Sequence, residues 1–183
     1  MAGRAGRPAG NAYLCRAVRA APGRPAARKM PRIALFPGTF DPFTTGHADI
    51  VERGLALFDE IVVAVGCNAA KRPMLTAEER VARISRLYAG EPRVRCAAYE
   101  GLTADFARRT GARFLLRGVR SVRDFEYERD LADINRRIAG IETVLLCCDP
   151  ALAALSSAAV RELAACGCDV SEFLPPEKTN PKE

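Results

Sequence analysis

Phe36-Pro37-Gly38-Thr39-Phe40-Asp41-Pro42-Phe43-Thr44-Thr45-Gly46-His47 is the stretch on which the reading of this chain turns. The apolar run Ile33-Ala34-Leu35-Phe36 leading into it reads as a buried strand. Two prolines, two glycines, Asp41 and a threonine pair then make a loop. Beyond the loop, Ile50, Val51, Ala56 and Leu57 fit one apolar face of a helix running from Ala48 to Leu57. Strand, small-residue loop and helix together aim backbone N–H groups and a helix N-terminus at an anion. Neither a Walker A loop nor a GxGxxG fingerprint is present. In place of a P-loop lysine stands His47, the only histidine of the chain. In the first helical turn it meets the positive end of the helix dipole and can donate a hydrogen bond to a phosphate oxygen. The hydroxyls of Thr39 and Thr44 lie close by in sequence.

Outward from this stretch the pattern alternates. Ile61-Val62-Val63-Ala64-Val65-Gly66 is a β-branched run suited to a parallel strand covered on both faces. Thr76 followed by Glu79 is a capping box, opening a helix whose apolar face is Val81, Ile84, Leu87 and Tyr88. Val94 to Ala98 is a weaker strand, and Thr103 to Arg109 a short helix closed by Gly111. Phe114-Leu115-Leu116 is the next strand and leads into Arg117-Gly118-Val119-Arg120. A helix follows over Val122 to Ile138 with a stripe of Phe125, Leu131, Ile134 and Ile138. Thr143 to Cys147 is the last strand, Asp149-Pro150 a turn, and Ala158 to Ala165 a helix preceded by Ser156-Ser157. This βα alternation predicts an α/β, Rossmann-like, doubly wound five-stranded parallel sheet with helices on both faces. Ligands of such sheets bind beyond the carboxyl ends of the strands, where strand order reverses. Thr39 and His47, Lys71, the Arg117–Arg120 pair and the loop before Ser156 all follow strands at that end.

With 183 residues the chain is long enough for one domain with a substantial core, expected over residues 30–176. Its net charge of +6 is misleading. Residues 1–29 hold six arginines, one lysine and no acid, which leaves about −1 for the rest. The basic excess is therefore a tail property, and the expected domain binds neither nucleic acid nor membrane. Residues 1–29, rich in Ala, Arg, Gly and Pro, are expected to be a disordered basic extension. An upstream start with Met30 as the working initiator, an organelle transit peptide and a nucleic-acid- or membrane-binding tail remain open, and the strand beginning just after Met30-Pro31-Arg32 favours the first. Residues 177–183 read as a frayed C-terminal tail. Seven cysteines without paired zinc spacing predict a reducing cytoplasm, no structural disulfide and no metal bound by protein ligands.

Lys71, Arg117 and Arg120 at one end of the sheet suit phosphate-rich substrates, arginine through paired hydrogen bonds and lysine as a mobile point charge. Glu128 lies four residues after Asp124, a like-charge spacing that a ribose or arginine partner would explain. No Ser-His-Asp set or acid pair is visible, which disfavours hydrolysis through a protein nucleophile.

Gly38-Thr39-Phe40-Asp41-Pro42 with Thr44-Thr45-Gly46-His47 resembles the (T/H)xGH signature of the nucleotidyltransferase superfamily. Lys71-Arg72-Pro73-Met74, Arg117-Gly118-Val119-Arg120 and Asp124-Phe125-Glu126-Tyr127-Glu128 resemble the KxPM, RGxR and DFEYE blocks of the phosphopantetheine adenylyltransferase family. The resemblance runs over roughly residues 31–176 and leaves residues 1–29 without counterpart. It implies transfer of the adenylyl group of ATP to 4′-phosphopantetheine, giving dephospho-coenzyme A and pyrophosphate. By position, Thr39, Lys71, Thr103 and Arg117 would contact phosphopantetheine. Thr39, Phe40, His47, Gly118, Val119, Arg120, Glu128 and the loop Leu152, Ala153, Ala154, Leu155, Ser156, Ser157 and Ala158 would contact ATP. His47, Thr39, Lys71 and Arg120 would carry catalysis, His47 as a hydrogen-bond donor rather than a general base. Mg²⁺ accompanying the triphosphate, a homohexamer, feedback by coenzyme A and a cytoplasmic location are further implications. A related nucleotidyltransferase with another phosphate acceptor, or a nucleotide-binding module that has lost catalysis, are the alternatives.

The chain departs from the family pattern in the loop after the last strand. Leu152 and Ala154 stand where the family carries aromatic residues, and Ala158 where it carries a third serine. The expectation is weaker apolar cover of adenine, centred on Ala154, with Ser156 and Ser157 still offering hydroxyls to phosphate.

Overall fold

The computed structural model describes residues 30–67 and 73–176. The basic extension 1–29, Lys71 and the tail 177–183 lie outside the described residues. Five strands, β1 (Ile33–Gly38), β2 (Glu60–Gly66), β3 (Val94–Tyr99), β4 (Phe114–Val119) and β5 (Glu142–Cys147), alternate with five helices. These are α1 (Thr45–Gly54), α2 (Ala77–Leu87), α3 (Thr103–Thr110), α4 (Val122–Ala139) and α5 (Ser157–Ala165). Every strand pair is parallel and the order is β3-β2-β1-β4-β5, so the chain reverses direction across the sheet between β1 and β4.

The period-two pattern divides the core in two. Ala34 and Phe36 of β1 with Ile61, Val63 and Val65 of β2 face the layer holding Ile50, Val51 and Ile84. Leu35, Val62 and Ala64 face the opposite layer, holding Ala104, Phe106 and Ala107. Beyond Leu35 and Leu115 no register pairs β1 with β4, whereas β1 pairs β2 along its whole length. The sheet thus opens between β1 and β4 at its carboxyl end.

Local signals behave as the sequence predicts at the caps. The N–H of Glu79 donates to Thr76 Oγ1 and that of Thr76 to the Glu79 carboxylate, the reciprocal bonds of a capping box. Gly111 closes α3 at φ 73°, in the left-handed region where other residues are strained. Helix α1 begins earlier than the apolar pattern suggests, at Thr45, and stops at Gly54, leaving Leu57 42% exposed instead of on its apolar face. Strand β4 runs three residues further than expected, so Arg117, Gly118 and Val119 belong to the strand rather than to a loop.

The α4 stripe is the larger correction. Phe125, Ile134 and Ile138 are exposed, and the one buried residue of the helix is Glu128. The apolar side of α4 does not close on the sheet. Leu131, Ile134 and Ile138 instead border an open cleft.

Gly54 lets α1 approach the sheet. A Cβ there would stand 2.6 Å from Leu116 Cδ2 and 2.8 Å from Ile61 Cδ1, both fully buried side chains. Gly54→Val should therefore overpack this contact and destabilise the fold by about 1–3 kcal/mol. Urea denaturation checks this as a lowered midpoint at unchanged slope.

Candidate active site

Two clefts meet where β1 and β4 separate. One, of about 620 Å³, is lined by Thr39, Gly66, Tyr99, Thr103 and the α4 residues Leu131 and Ile134. The other, of about 340 Å³, is lined by His47, Arg120, Leu152, Leu155, Ser156 and Ser157. Pro37, Gly38, Arg117 and Glu128 border both. The junction carries one guanidinium, held in place from two sides.

Arg117 Nε donates to Glu128 Oε2 at 2.8 Å, its Nη2 donates to the other carboxylate oxygen, and its Nη1 donates to the Pro37 carbonyl. Such a two-pronged pair fixes the plane of the guanidinium. Each terminal nitrogen keeps a second N–H for a ligand. Glu128 thus finds the arginine partner that its crowding with Asp124 suggested, and Asp124 pairs with Arg120 at 3.1 Å. Arg120 Nη1 also donates to the Leu155 carbonyl at 3.3 Å, tying β4 to the loop before α5.

His47 occupies the third position of α1. The N–H of Thr44 donates to His47 Nδ1 at 3.0 Å, so the ring serves the helix cap. With Nδ1 accepting, the proton of the neutral ring resides on Nε2, leaving a donor on the other side of the imidazole. Phe36, Phe40 and Phe43 pack around the ring. Burial, then the positive charges of Arg120 and Arg117, lower its pKa from 6.5 to about 4. At neutral pH His47 is therefore an uncharged donor.

Phe40 sits at φ 52°, 3% exposed, with its ring turned into this cluster. It borders the smaller cleft from inside the core. Thr103 opens α3, and its hydroxyl pairs with that of Tyr99 at 2.8 Å. Thr39 borders the larger cleft and not the smaller one.

Several expected contacts are not brought into the smaller cleft. Val119 is 6% exposed and packs in β4, while Gly118 beside it borders the cleft. Ala153, Ala154 and Ala158 do not line it, and Ala154 and Ala158 are exposed. The apolar side chains that this loop gives to the wall are Leu152 and Leu155, and Ala154 takes no part in it.

Each serine oxygen already makes one hydrogen bond. Ser156 Oγ accepts the N–H of Ala159 as N-cap of α5. Ser157 Oγ donates to the Pro42 carbonyl at 2.8 Å. What α5 offers an anion is its helix N-terminus together with the remaining Ser156 O–H.

Reasoning from sequence passed over Asp41, Arg80 and Arg161, which hold the Thr39–Phe43 loop. Asp41 accepts the N–H groups of Met74 at 2.7 Å and Leu75 at 3.0 Å. Arg161 of α5 donates to the Asp41 carbonyl. Arg80 was detectable as a charge inside the buried stripe of α2, alongside Ile84 and Leu87. Among the described residues no three His, Cys, Asp or Glu side chains converge to hold a metal. The six described cysteines are free thiols, and no described helix is long and apolar enough to cross a membrane.

As the only histidine, His47 gives one unambiguous imidazole signal. Its NMR titration should show the Nε2–H tautomer and a midpoint near 4. The unfolded chain binds the proton more tightly than the folded one. His47 therefore contributes stability above about pH 6.5 that is lost as pH falls through about 4. A midpoint at the ordinary value would contradict the buried, cation-flanked environment.

The sequence profile of the family described as Cytidylyltransferase-like matches residues 35–163. Phosphopantetheine adenylyltransferase of Porphyromonas gingivalis is 58% identical over 143 residues, covering 78% of this chain and 94% of the relative. The enzymes of that name from Phocaeicola vulgatus and Bacteroides fragilis are 53% and 50% identical over 144 residues, 79% of this chain and 95% and 96% of theirs. Among solved structures, a bifunctional NMN adenylyltransferase/ADP ribose pyrophosphatase from Francisella tularensis superposes with a TM-score of 0.63 at 13% identity. That match covers 79% of this chain and 45% of the bifunctional one, and it shows the shared fold. With most of its length aligned at such identity, the chain belongs to the phosphopantetheine adenylyltransferase family of cytidylyltransferase-like nucleotidyltransferases.

Proposed function

We propose that this chain transfers the adenylyl group of ATP to 4′-phosphopantetheine, releasing pyrophosphate and forming dephospho-coenzyme A. The observation that carries the reading is the pair of clefts joined at Gly38 and Arg117. The smaller suits ATP, with Leu152 and Leu155 against the base and the α5 N-terminus, Arg120 and His47 toward the phosphates. The larger suits an elongated acceptor. Its phosphate lies by Thr39 and Arg117, and its arm runs along Thr103, Leu131 and Ile134 of the half-exposed α4 face. The two phosphates then meet at the opening of the sheet.

The reaction needs no covalent intermediate on the protein. The acceptor phosphate attacks the α-phosphorus in line and pyrophosphate departs, so catalysis is positioning and charge stabilisation. Arg117, fixed by Glu128 and Pro37, orients the incoming phosphate. His47 Nε2–H donates to the oxygens of the five-coordinate phosphorus, and a phosphate dianion requires no base. Arg120 neutralises charge on the departing side. Lys71, by its place in the KxPM block, joins Thr39 in orienting the nucleophile.

The carboxylates nearest the junction, Asp124 and Glu128, are engaged by arginines. This arrangement fits Mg²⁺ carried in on the triphosphate oxygens and water rather than a resident ion. Bound there, the ion would offset charge on the leaving pyrophosphate. A cytoplasmic homohexamer and feedback by coenzyme A complete the reading.

A pyrophosphate-release assay with ATP and a panel of phosphate acceptors tests it. Release is expected with 4′-phosphopantetheine, and release only with another acceptor overturns the assignment. His47→Ala should lower kcat by about 10²–10³-fold, the effect of losing one oxyanion donor. A change confined to KM would mean that His47 binds ground and transition states alike.

The loop after β5 gives a second check. Leu152→Ala should raise the KM for ATP severalfold at near-constant kcat, since it removes apolar cover. Ala154→Phe should leave that KM unchanged, because position 154 lies outside the cleft wall.

A further inference from the structure

Asp41 and Arg80 are 2% and 4% exposed, and neither has a part in the chemistry above. Charged groups so deeply buried are costly unless hydrogen-bonded on all sides. Every hydrogen bond that Arg80 makes among the described residues ends on a main-chain carbonyl. Its Nε donates to Leu75 at 3.1 Å and Thr76 at 3.2 Å, and its Nη1 to Thr39 and to Gly66. The Asp41 carboxylate receives the N–H groups of Met74 and Leu75. The peptide groups flanking one residue, Leu75, therefore lie between the two charges. Asp41 takes its N–H and Arg80 takes its carbonyl.

The carbonyls that Arg80 Nη1 holds belong to Thr39, at the end of β1, and Gly66, at the end of β2. Both residues border the larger cleft, and neither borders the smaller. The geometry points to Arg80, with Asp41 behind it, as a positioning pair for the acceptor. It fixes the Thr39 and Gly66 main chain, and with it the mouth through which the acceptor phosphate reaches Arg117. This assignment rests on the reading of the larger cleft as the acceptor site. None of the residues that line the smaller cleft, drawn from β1, the loop after it, α1, β4, α4 and the segment from β5 to α5, takes a bond from Arg80.

The test is steady-state kinetics on Arg80→Met, Arg80→Lys and Asp41→Asn, at a temperature where calorimetry shows each variant native. Arg80→Met keeps the apolar stem and loses the donors, while Arg80→Lys keeps the charge with fewer bonds. The KM for phosphopantetheine should rise about tenfold or more in Arg80→Met and less in Arg80→Lys, with the KM for ATP within about twofold of the parent. Asp41→Asn should shift the same constant in the same direction. A merely structural role would lower the melting temperature and move both constants together, and that result overturns the inference. So does an unchanged acceptor KM. If the parent protein uses another phosphate acceptor, the proposed function fails, and the split is read on that acceptor's KM instead.

Discussion

The grip of Arg117 on the Pro37 carbonyl and on Glu128 is the interaction around which the site is arranged. It joins β1, β4 and α4 at the point where the sheet reverses direction. Glu128 is the one buried residue of α4, so this ion pair anchors a helix whose apolar residues otherwise face outward. Removing one partner would leave the other charge partly buried without compensation, the costly case for internal ion pairs. The same guanidinium borders both clefts. One electrostatic contact thus sets helix placement and the junction of the two clefts.

Charge in the site is arranged asymmetrically. The two arginines are each matched by a carboxylate, and the histidine that lines the same cleft is kept neutral by burial and by those same arginines. A cationic histidine here would compete with Arg117 and Arg120 for one anion. A neutral one adds a directed hydrogen bond without adding repulsion. Its other nitrogen is spent on the cap of α1, so helix geometry and ring orientation are set together.

Much of this was legible in the sequence because it follows from periodicity and caps. The alternation of Ile33–Phe36, Ile61–Gly66 and Phe114–Leu116 with helical stripes fixed the layers, and Thr76 with Glu79 marked the start of α2. Convergence of Thr39, His47, Arg117 and Arg120 followed from topology. Hydrogen-bond allocation was not legible. Ser156 and Ser157 read as phosphate ligands, and the pattern could not show that Ser157 spends its O–H on the Pro42 carbonyl while Ser156 caps α5 and keeps its own. Ala154 read as lost adenine cover, and the methyl that stands there is exposed and takes no part in the cleft wall. The α4 stripe misled for a related reason. Apolar spacing records which residues avoid water in the working protein, and Ile134 and Ile138 border a cleft sized for a ligand.

The short register between β1 and β4 has a consequence for how the sheet meets its ligands. After Leu35 and Leu115 the two strands part, and Pro37 has no N–H to pair across the gap. The centre of the sheet thus contains a hidden edge, with main-chain groups released from the ladder while both outer neighbours remain fully zipped. Exposed edges are usually liabilities that invite another chain to pair. Here Arg117 covers the edge by donating to the Pro37 carbonyl, so the opening presents a cation rather than a bare strand edge. An unfinished strand pairing thus leaves room at the centre of the sheet for a fixed guanidinium.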